Sequence, residues 1–352
     1  ITIDALSWRY IFFVPLPLIT IALALGVIFM PSVRSRERPK FDWAGYLLIC
    51  ITLFCLVSAL SNGQKLGWLS DHISGLLAIS VIGSAAFLWS QSKAQNPLLD
   101  LQLFRVPAFA SACLIAFIFG MGNFATTYAV PVFGQLVQGL SATDAGMLMM
   151  PAGLIVAFAL PFTGRLADRS KPHYIIICGL FFFFLGTALL GGADANTPFW
   201  HVAFFGMVSR FGMSFIMPSV MSTALKAVPP ERLNSAGGAV NFVRQLGGSL
   251  GTNFYVVLLS FRTQFHSDAL ASTQISGNAA SQELLVGVGG IFSVAGVPEA
   301  VHQSGALHYL GQVVHAQAST LGFQDGFLII ASVFLAAMLP AWVLGRAQAA
   351  RR

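Results

Sequence analysis

The chain of 352 residues is 56% hydrophobic and only 9% charged, with 31 phenylalanines, against about 25% charged residues in an average soluble domain. A water-soluble globule needs a charged surface around its core, and this composition excludes one. The formal charge of +6 does not describe a nucleic-acid surface either, because the basic residues sit at the ends of apolar runs rather than along one face.

Residues 1–9 form neither a cleavable signal nor a targeting segment, and they read as the continuation of a longer protein. From there the apolar runs begin. A membrane-crossing helix needs about 20 mostly apolar residues, and its backbone polar groups must be satisfied within the helix. About nine stretches meet that demand: 10–30, 43–60, 73–91, 108–128, 145–162, 174–192, 199–223, 236–261 and 326–344. The expected class is an all-α integral membrane protein, with an odd number of crossings that puts the two ends on opposite sides. Residues 262–325, rich in Ser, Gln, Gly and His, are the one long connection. Within it 298–321 carries apolar residues at Val301, Leu307, Leu310, Val313 and Val314, a spacing that predicts a surface helix.

Loop charge sets the expected orientation. Alternate connections hold Arg34, Arg36, Arg38 and Lys40; Lys93 and Arg105; Arg165, Arg169 and Lys171; Lys226 and Arg232; and finally Arg346, Arg351 and Arg352. Those are fourteen of the nineteen basic residues, while the opposite side has Arg9, Lys65 and Arg262, so the carboxyl terminus is expected in the cytoplasm. The four cysteines (Cys50, Cys55, Cys113, Cys178) all lie in apolar stretches without metal-ligand spacing and read as packing residues. The seven histidines fall in the long connection or at helix ends, and their spacing shows no metal-site convergence.

Arg210 and Arg244 remain, both inside apolar segments. An arginine at the centre of a membrane helix costs about 2.5–3.5 kcal/mol on insertion scales and marks a functional candidate. Arg210 shares a helical face with Ala203, Met207, Ser214, Met217 and Met221. It either holds an anionic group or a coupling carboxylate, or joins helices through a buried ion pair or carbonyl contact. Around Arg244, Gly237, Asn241, Gly248 and Gly251 recur at spacings of four, three, four and three, which calls for a closely packed neighbour. Asn123 and Thr127, with Gly120 below and Pro131 above, form a third polar stripe that continues toward Gln135 and Gln138, a candidate cavity lining. A lining of Phe and Met with a few polar points suits hydrophobic or amphipathic molecules better than sugars. Neither a nucleophile–base pair nor a phosphate-binding loop occurs, which disfavours an enzyme and ATP-driven transport and implies no cofactor.

The segment Gly164-Arg165-Leu-Ala-Asp168-Arg169, expected in a short cytoplasmic loop, resembles the loop signature of the major facilitator superfamily. Gly164 would serve a tight turn there, and Asp168 would face the positive end of a helix dipole. Trp8-Arg9 ahead of Pro15 and Pro17, Phe41 to Gly45, Asn96 to Arg105, Gln135 to Pro151 and Met217 to Gly251 are similar, in order, to the fourteen-helix drug:proton antiporter branch, the EmrB/QacA type. The resemblance implies a partial facilitator fold whose nine helices are the sixth to the fourteenth. Residues 1–31 would hold the last helix of the amino-terminal domain, 32–106 the two linker helices, and 107–352 the six-helix carboxy-terminal domain with its outer loop 262–325. It further implies a proton-driven efflux permease of the inner membrane whose proton-coupling acid lies upstream of Ile1. A periplasmic adaptor and an outer-membrane channel would be its partners, and this portion alone is expected not to transport. The rival expectation is a non-transporting remnant or scaffold from a split gene.

Overall fold

The computed structural model describes residues 9, 10, 13, 15–29, 41–275 and 277–349, and no strand occurs among them. Ten helices follow in order: α1 Pro15–Phe29, α2 Trp43–Leu66, α3 Asp71–Lys93, α4 Pro107–Leu136, α5 Ala142–Arg169, α6 Pro172–Leu190, α7 Phe199–Lys226, α8 Leu233–Ala271, α9 Ala279–Val294 and α10 His302–Ala349. Local sequence starts them. The Asp42 carboxylate accepts from the Gly45 N–H ahead of α2, Ser70 accepts from Ile73 ahead of α3, and Ser141 accepts from Asp144 ahead of α5, each satisfying an amide left open by the first turn. Pro107 and Pro172 occupy first-turn positions, where a missing N–H costs nothing.

Among the described residues seven helices are long and apolar enough to cross a membrane, fewer than the nine expected. The two shortfalls have different causes. The first stretch is helical over the 15 residues of α1, about 22 Å at 1.5 Å per residue, and so shorter than the bilayer core; residues 11, 12, 14 and 30, with Trp8 and the basic cluster 34–40, lie outside the described residues. The eighth stretch does form a helix, the 39-residue α8, but its Gly, Asn, Ser and Arg content keeps it below the apolarity of a lipid-exposed span.

Six helices build the carboxy-terminal bundle. Going round, α4 packs on α8, α8 on α10, α10 on α6, α6 on α7, α7 on α5 and α5 back on α4, while α4 also touches α7 and α10 across the middle. Helix α4 is accordingly buried on most of its sides, from Phe109 through Phe119 to Phe133. The aromatic core stacks Phe183 of α6 on Phe334 of α10 at 4.1 Å between ring centres, with Phe119 edge-on to Phe183 and Phe133 edge-on to Phe323 and Phe327. Helices α2 and α3 pair with each other and meet the bundle along α8, where Ser61 donates to Asn253 at 2.7 Å. Most of their large side chains, such as Phe54, Val81 and Ile82, face outward as lipid-facing side chains do.

The connection 262–325 is not the loop expected. Helix α8 runs on to Ala271, α9 fills 279–294, and α10 starts at His302 and continues without a break through the final span, so that the surface helix expected at 298–321 is the first part of a 48-residue helix. At 1.5 Å per residue α10 is about 72 Å long, more than twice the 30 Å hydrocarbon core. Helices α8 and α10 therefore project together beyond the bundle, with α9 packed on α10. At the base of the projection the Asp325 carboxylate accepts from Arg262 at 2.7 Å and pairs with His266 at 2.6 Å.

The Gly164–Arg169 segment is a second correction. It forms the last turns of α5, not a loop, so Gly164 supplies no turn, and Asp168 stands at a carboxyl end rather than at an amino end. The side chains of Asp168 and Arg169 lie outside the described residues, as do Arg346, Arg351 and Arg352. Of the cysteines expected to pack, Cys55 and Cys113 are buried and Cys50 and Cys178 are exposed.

Candidate functional site

The polar groups expected to line a cavity converge on α4. Arg210, 8% exposed in the middle of α7, donates through Nη1 to Asn123 Oδ1 and through Nη2 to Thr127 Oγ1 at 2.6 Å. Asn123 and Thr127 are four residues apart and hence on one face of α4, and Thr127 also donates to the Asn123 carbonyl at 2.6 Å. Met213 completes the surround, with its sulfur 3.7 Å from Nη1. A guanidinium presents five N–H donors. The oxygens it meets here are neutral, and no carboxylate among the described residues pairs with it. The ion-pair alternative for Arg210 is thus replaced by an arginine held by neutral dipoles. Sequence spacing placed Met207 and Met217 beside Arg210; both are half-buried, and the thioether in contact is Met213, one turn along, a neighbour that the i, i+3 relation could have identified.

Arg244 approaches α4 from the other side. Adding a Cβ to Gly120, one turn below Asn123, would run into the carbonyl of Arg244 and the amide of Gly248. Gly247 and Gly251 likewise have the backbone of Phe117 and Met121 where a side chain would go, so the close α4–α8 approach demanded by the glycine spacing is present. The expected face divides at this point. Gly248 and Gly251 pack, while Asn241 is exposed and accepts from Arg244 Nη2 at 2.7 Å. Arg244 Nε is buried without a hydrogen-bond partner. Helix α4 therefore carries its Asn–Thr stripe against the Arg210 guanidinium of α7, and one turn below it meets the Arg244 backbone of α8, whose guanidinium bonds Asn241 on its own helix.

The rest of the stripe does other things. Gln135 is exposed and bonds the Pro131 carbonyl one turn back. Gln138 donates to the carbonyl of Thr197 at 2.8 Å and ties the carboxyl end of α4 to the α6–α7 loop, which Gln324 of α10 also grips through the Ala193 carbonyl. In that loop the Thr197 hydroxyl donates to Asp194 at 2.7 Å and holds the exposed carboxyl below its ordinary value.

Two of the sequence blocks meet at the opposite end. Gln91 of α3 donates to Asp42 at 2.7 Å and accepts from the Leu99 amide at 3.0 Å. Next to it Asp100 pairs with Arg232 at 3.1 Å, and Gln102 accepts from the same guanidinium. A polar cleft of about 400 Å³ lies between these groups, bounded by Asp42, Asn96, Asp100 and Ser235. The helix pair α2–α3 is thus fastened to the bundle through residues distant in sequence, contacts that periodicity does not reveal.

Comparison with known proteins gives this architecture a family. A family model described as Major Facilitator Superfamily matches residues 1–252. Lincomycin resistance protein LmrB of Listeria monocytogenes is 28% identical over 73% of this chain and 55% of its own length. Multidrug resistance protein B homolog of Mycobacterium tuberculosis is 26% identical over 99% of this chain and 64% of its own. Multidrug resistance protein 3 of Bacillus subtilis is 25% identical over 96% and 64%. The chain therefore spans between about half and two thirds of the length of these curated relatives. In fold it is similar to a crystal structure of a bacterial homologue of the human lysosomal transporter Spinster, in an inward-facing and occupied conformation, with a TM-score of 0.51, 15% identity, and 86% of this chain and 65% of that one covered. On the match of residues 1–252, set on an all-helical membrane bundle, the chain belongs to the Major Facilitator Superfamily.

Proposed function

We propose that the chain is part of a drug-exporting permease of the fourteen-helix, proton-driven branch, moving hydrophobic or amphipathic compounds out across the inner membrane by alternating access. The observation that carries the reading is the buried Arg210 on neutral Asn123 and Thr127, beside an exposed polar edge of the bundle. Transporters with two domains place substrate between the domains near the bilayer midplane. A guanidinium kept there at insertion cost, with no ion pair to occupy it, is placed to meet a substrate or a coupling group. Relatives named for multidrug and lincomycin resistance align along most of the chain and support drug export.

In this register α1 to α8 and α10 are the sixth to the fourteenth helices, with α2–α3 as the inserted linker pair and a cytoplasmic carboxyl terminus. The projecting α8–α9–α10 element lies on the outer side, where a periplasmic adaptor leading to an outer-membrane channel would dock. The remnant or scaffold alternative differs in one readout. Expressed with its upstream helices in a drug-sensitive host, the transporter raises resistance to amphipathic drugs, and Arg210→Ala at equal membrane abundance lowers it. Full resistance in the Arg210→Ala variant removes Arg210 from the mechanism, and no resistance from the complete protein removes the export reading.

A further inference from the structure

The charge distribution around α4 selects among amphipathic substrates. Arg210 reaches this helix with its guanidinium and Arg244 of α8 lies against it with its backbone, and the groups bonded to the two guanidinium groups are the neutral side chains of Asn123, Thr127, Met213 and Asn241. Arg210 is nine-tenths buried, so water does not screen its charge as it would at a surface. Arg244 keeps a buried N–H without an acceptor. Acidic residues do not offset them. Among the described residues the carboxylates sit in caps, terminal turns and loops, save Glu283, exposed on α9, and Asp325, which is engaged by Arg262 and His266 at the base of the projection.

The geometry points to an anion-accepting subsite at Arg210, Asn123 and Thr127 that favours amphiphiles bearing a carboxylate or sulfonate over those bearing an ammonium. This rests on the export reading and narrows its substrate class. The chemistry follows from the donor set. Arg210 has N–H groups beyond the two bonded to Asn123 and Thr127, and a planar guanidinium matches two oxygens of one oxyanion. A cationic amphiphile entering the same place would meet the guanidinium charge at close range in a medium that transmits it strongly. The half-buried Met207, Met213 and Met217 on α7 supply an adaptable apolar surround for the rest of such a molecule.

The test uses one fluorophore with three head groups: pyrenebutyrate, pyrenebutanol and pyrenebutylamine, titrated into the complete transporter in lipid nanodiscs. The expected order places pyrenebutyrate about tenfold tighter than pyrenebutylamine, the scale of one charge-assisted hydrogen bond, with the alcohol between them. Arg210→Gln erases the difference between pyrenebutyrate and pyrenebutylamine, whereas Arg210→Lys keeps its sign. Asn123→Asp is the companion variant if Arg210→Gln fails to fold: it retains the arginine, supplies an internal carboxylate, and also erases the preference for the anion. A wild-type preference below about threefold, or a preference that survives Asn123→Asp, overturns the assignment. The two readings fail separately. Amine-preferring binding with drug resistance intact removes the anion subsite alone, whereas anion-preferring binding without resistance removes export and leaves the subsite.

Discussion

Glycine contacts make the packing of α4 on α8 testable by two substitutions of the same chemistry and opposite expected sign. At Gly120 an added methyl group meets the Arg244 carbonyl and the Gly248 amide, backbone atoms that cannot swing aside as a flexible side chain would. Relief requires the two helices to part, and overpacking of this kind costs about 1–3 kcal/mol. Gly146, inside α5, has nothing within 4 Å of the position a Cβ would take; there alanine removes a helix penalty of up to about 1 kcal/mol. With about 2–4 °C of melting shift per kcal/mol for a domain of about 150–250 residues, Gly120→Ala is expected to lower the melting temperature of the complete protein by about 2–12 °C, and Gly146→Ala to leave it level or raise it slightly. Intrinsic-fluorescence melting of purified protein in one detergent gives the comparison. Equal shifts in the two variants would refute the close α4–α8 approach, because propensity alone would then govern both sites.

Asp325→Asn should loosen the projecting helices and spare the bundle: hydrogen exchange quickens in 262–271 and 302–321, and exchange in α6 and α7 stays as it was, because the lost acceptor serves Arg262 and His266 at the base of the projection. A double-mutant cycle on Asp100 and Arg232 should give a coupling below about 1 kcal/mol, since the Arg232 side chain is 43% exposed and the Asp100 side chain 18%; a larger value would mean that this junction does more than tether α2–α3. For Asp194 the sign follows from a depressed carboxyl: its contribution to the α6–α7 loop is present above the ordinary value of 3.8 and is lost as the pH falls through the lower folded value. Thr197→Val removes the main cause, so an NMR titration of the Asp194 carboxyl should move upward, and the acid-induced loosening of residues 191–198 should set in at a higher pH.

Much of the helical order was legible in the sequence because each span had to satisfy its own backbone inside lipid, a demand that apolar runs of the required length display directly. Segments 43–60, 73–91, 108–128, 145–162 and 199–223 each recur inside a helix of the structure, and 174–192 overruns its helix by two residues. The ends were less legible. A span estimate stops where apolarity stops, but α5 continues through Gly164 and Leu166 to Arg169, and α10 begins two dozen residues before its apolar part, at His302. In both places polar residues with adequate helix propensity extend a helix already nucleated by the membrane, which makes continuing it cheaper than starting a loop. The spacing of Asn123 and Thr127 and the isolation of Arg210 were visible as patterns, and their union was not, because it joins residues 83 and 87 positions apart.

Helix α8 shows why hydropathy and function pull apart in a bundle of this kind. The test that identifies a lipid-facing span penalises Gly, Asn, Ser and Arg, and α8 falls short of it for carrying them. Yet Gly247, Gly248 and Gly251 let its backbone lie against α4, and Asn241 and Arg244 bring polar atoms to the edge of that contact. A helix rich in large apolar side chains would separate from α4 and draw Asn241 and Arg244 away from it. The low apolarity of α8 is therefore the sequence signature of close packing against the buried α4, and the place to look for a polar site in such a chain is along that contact.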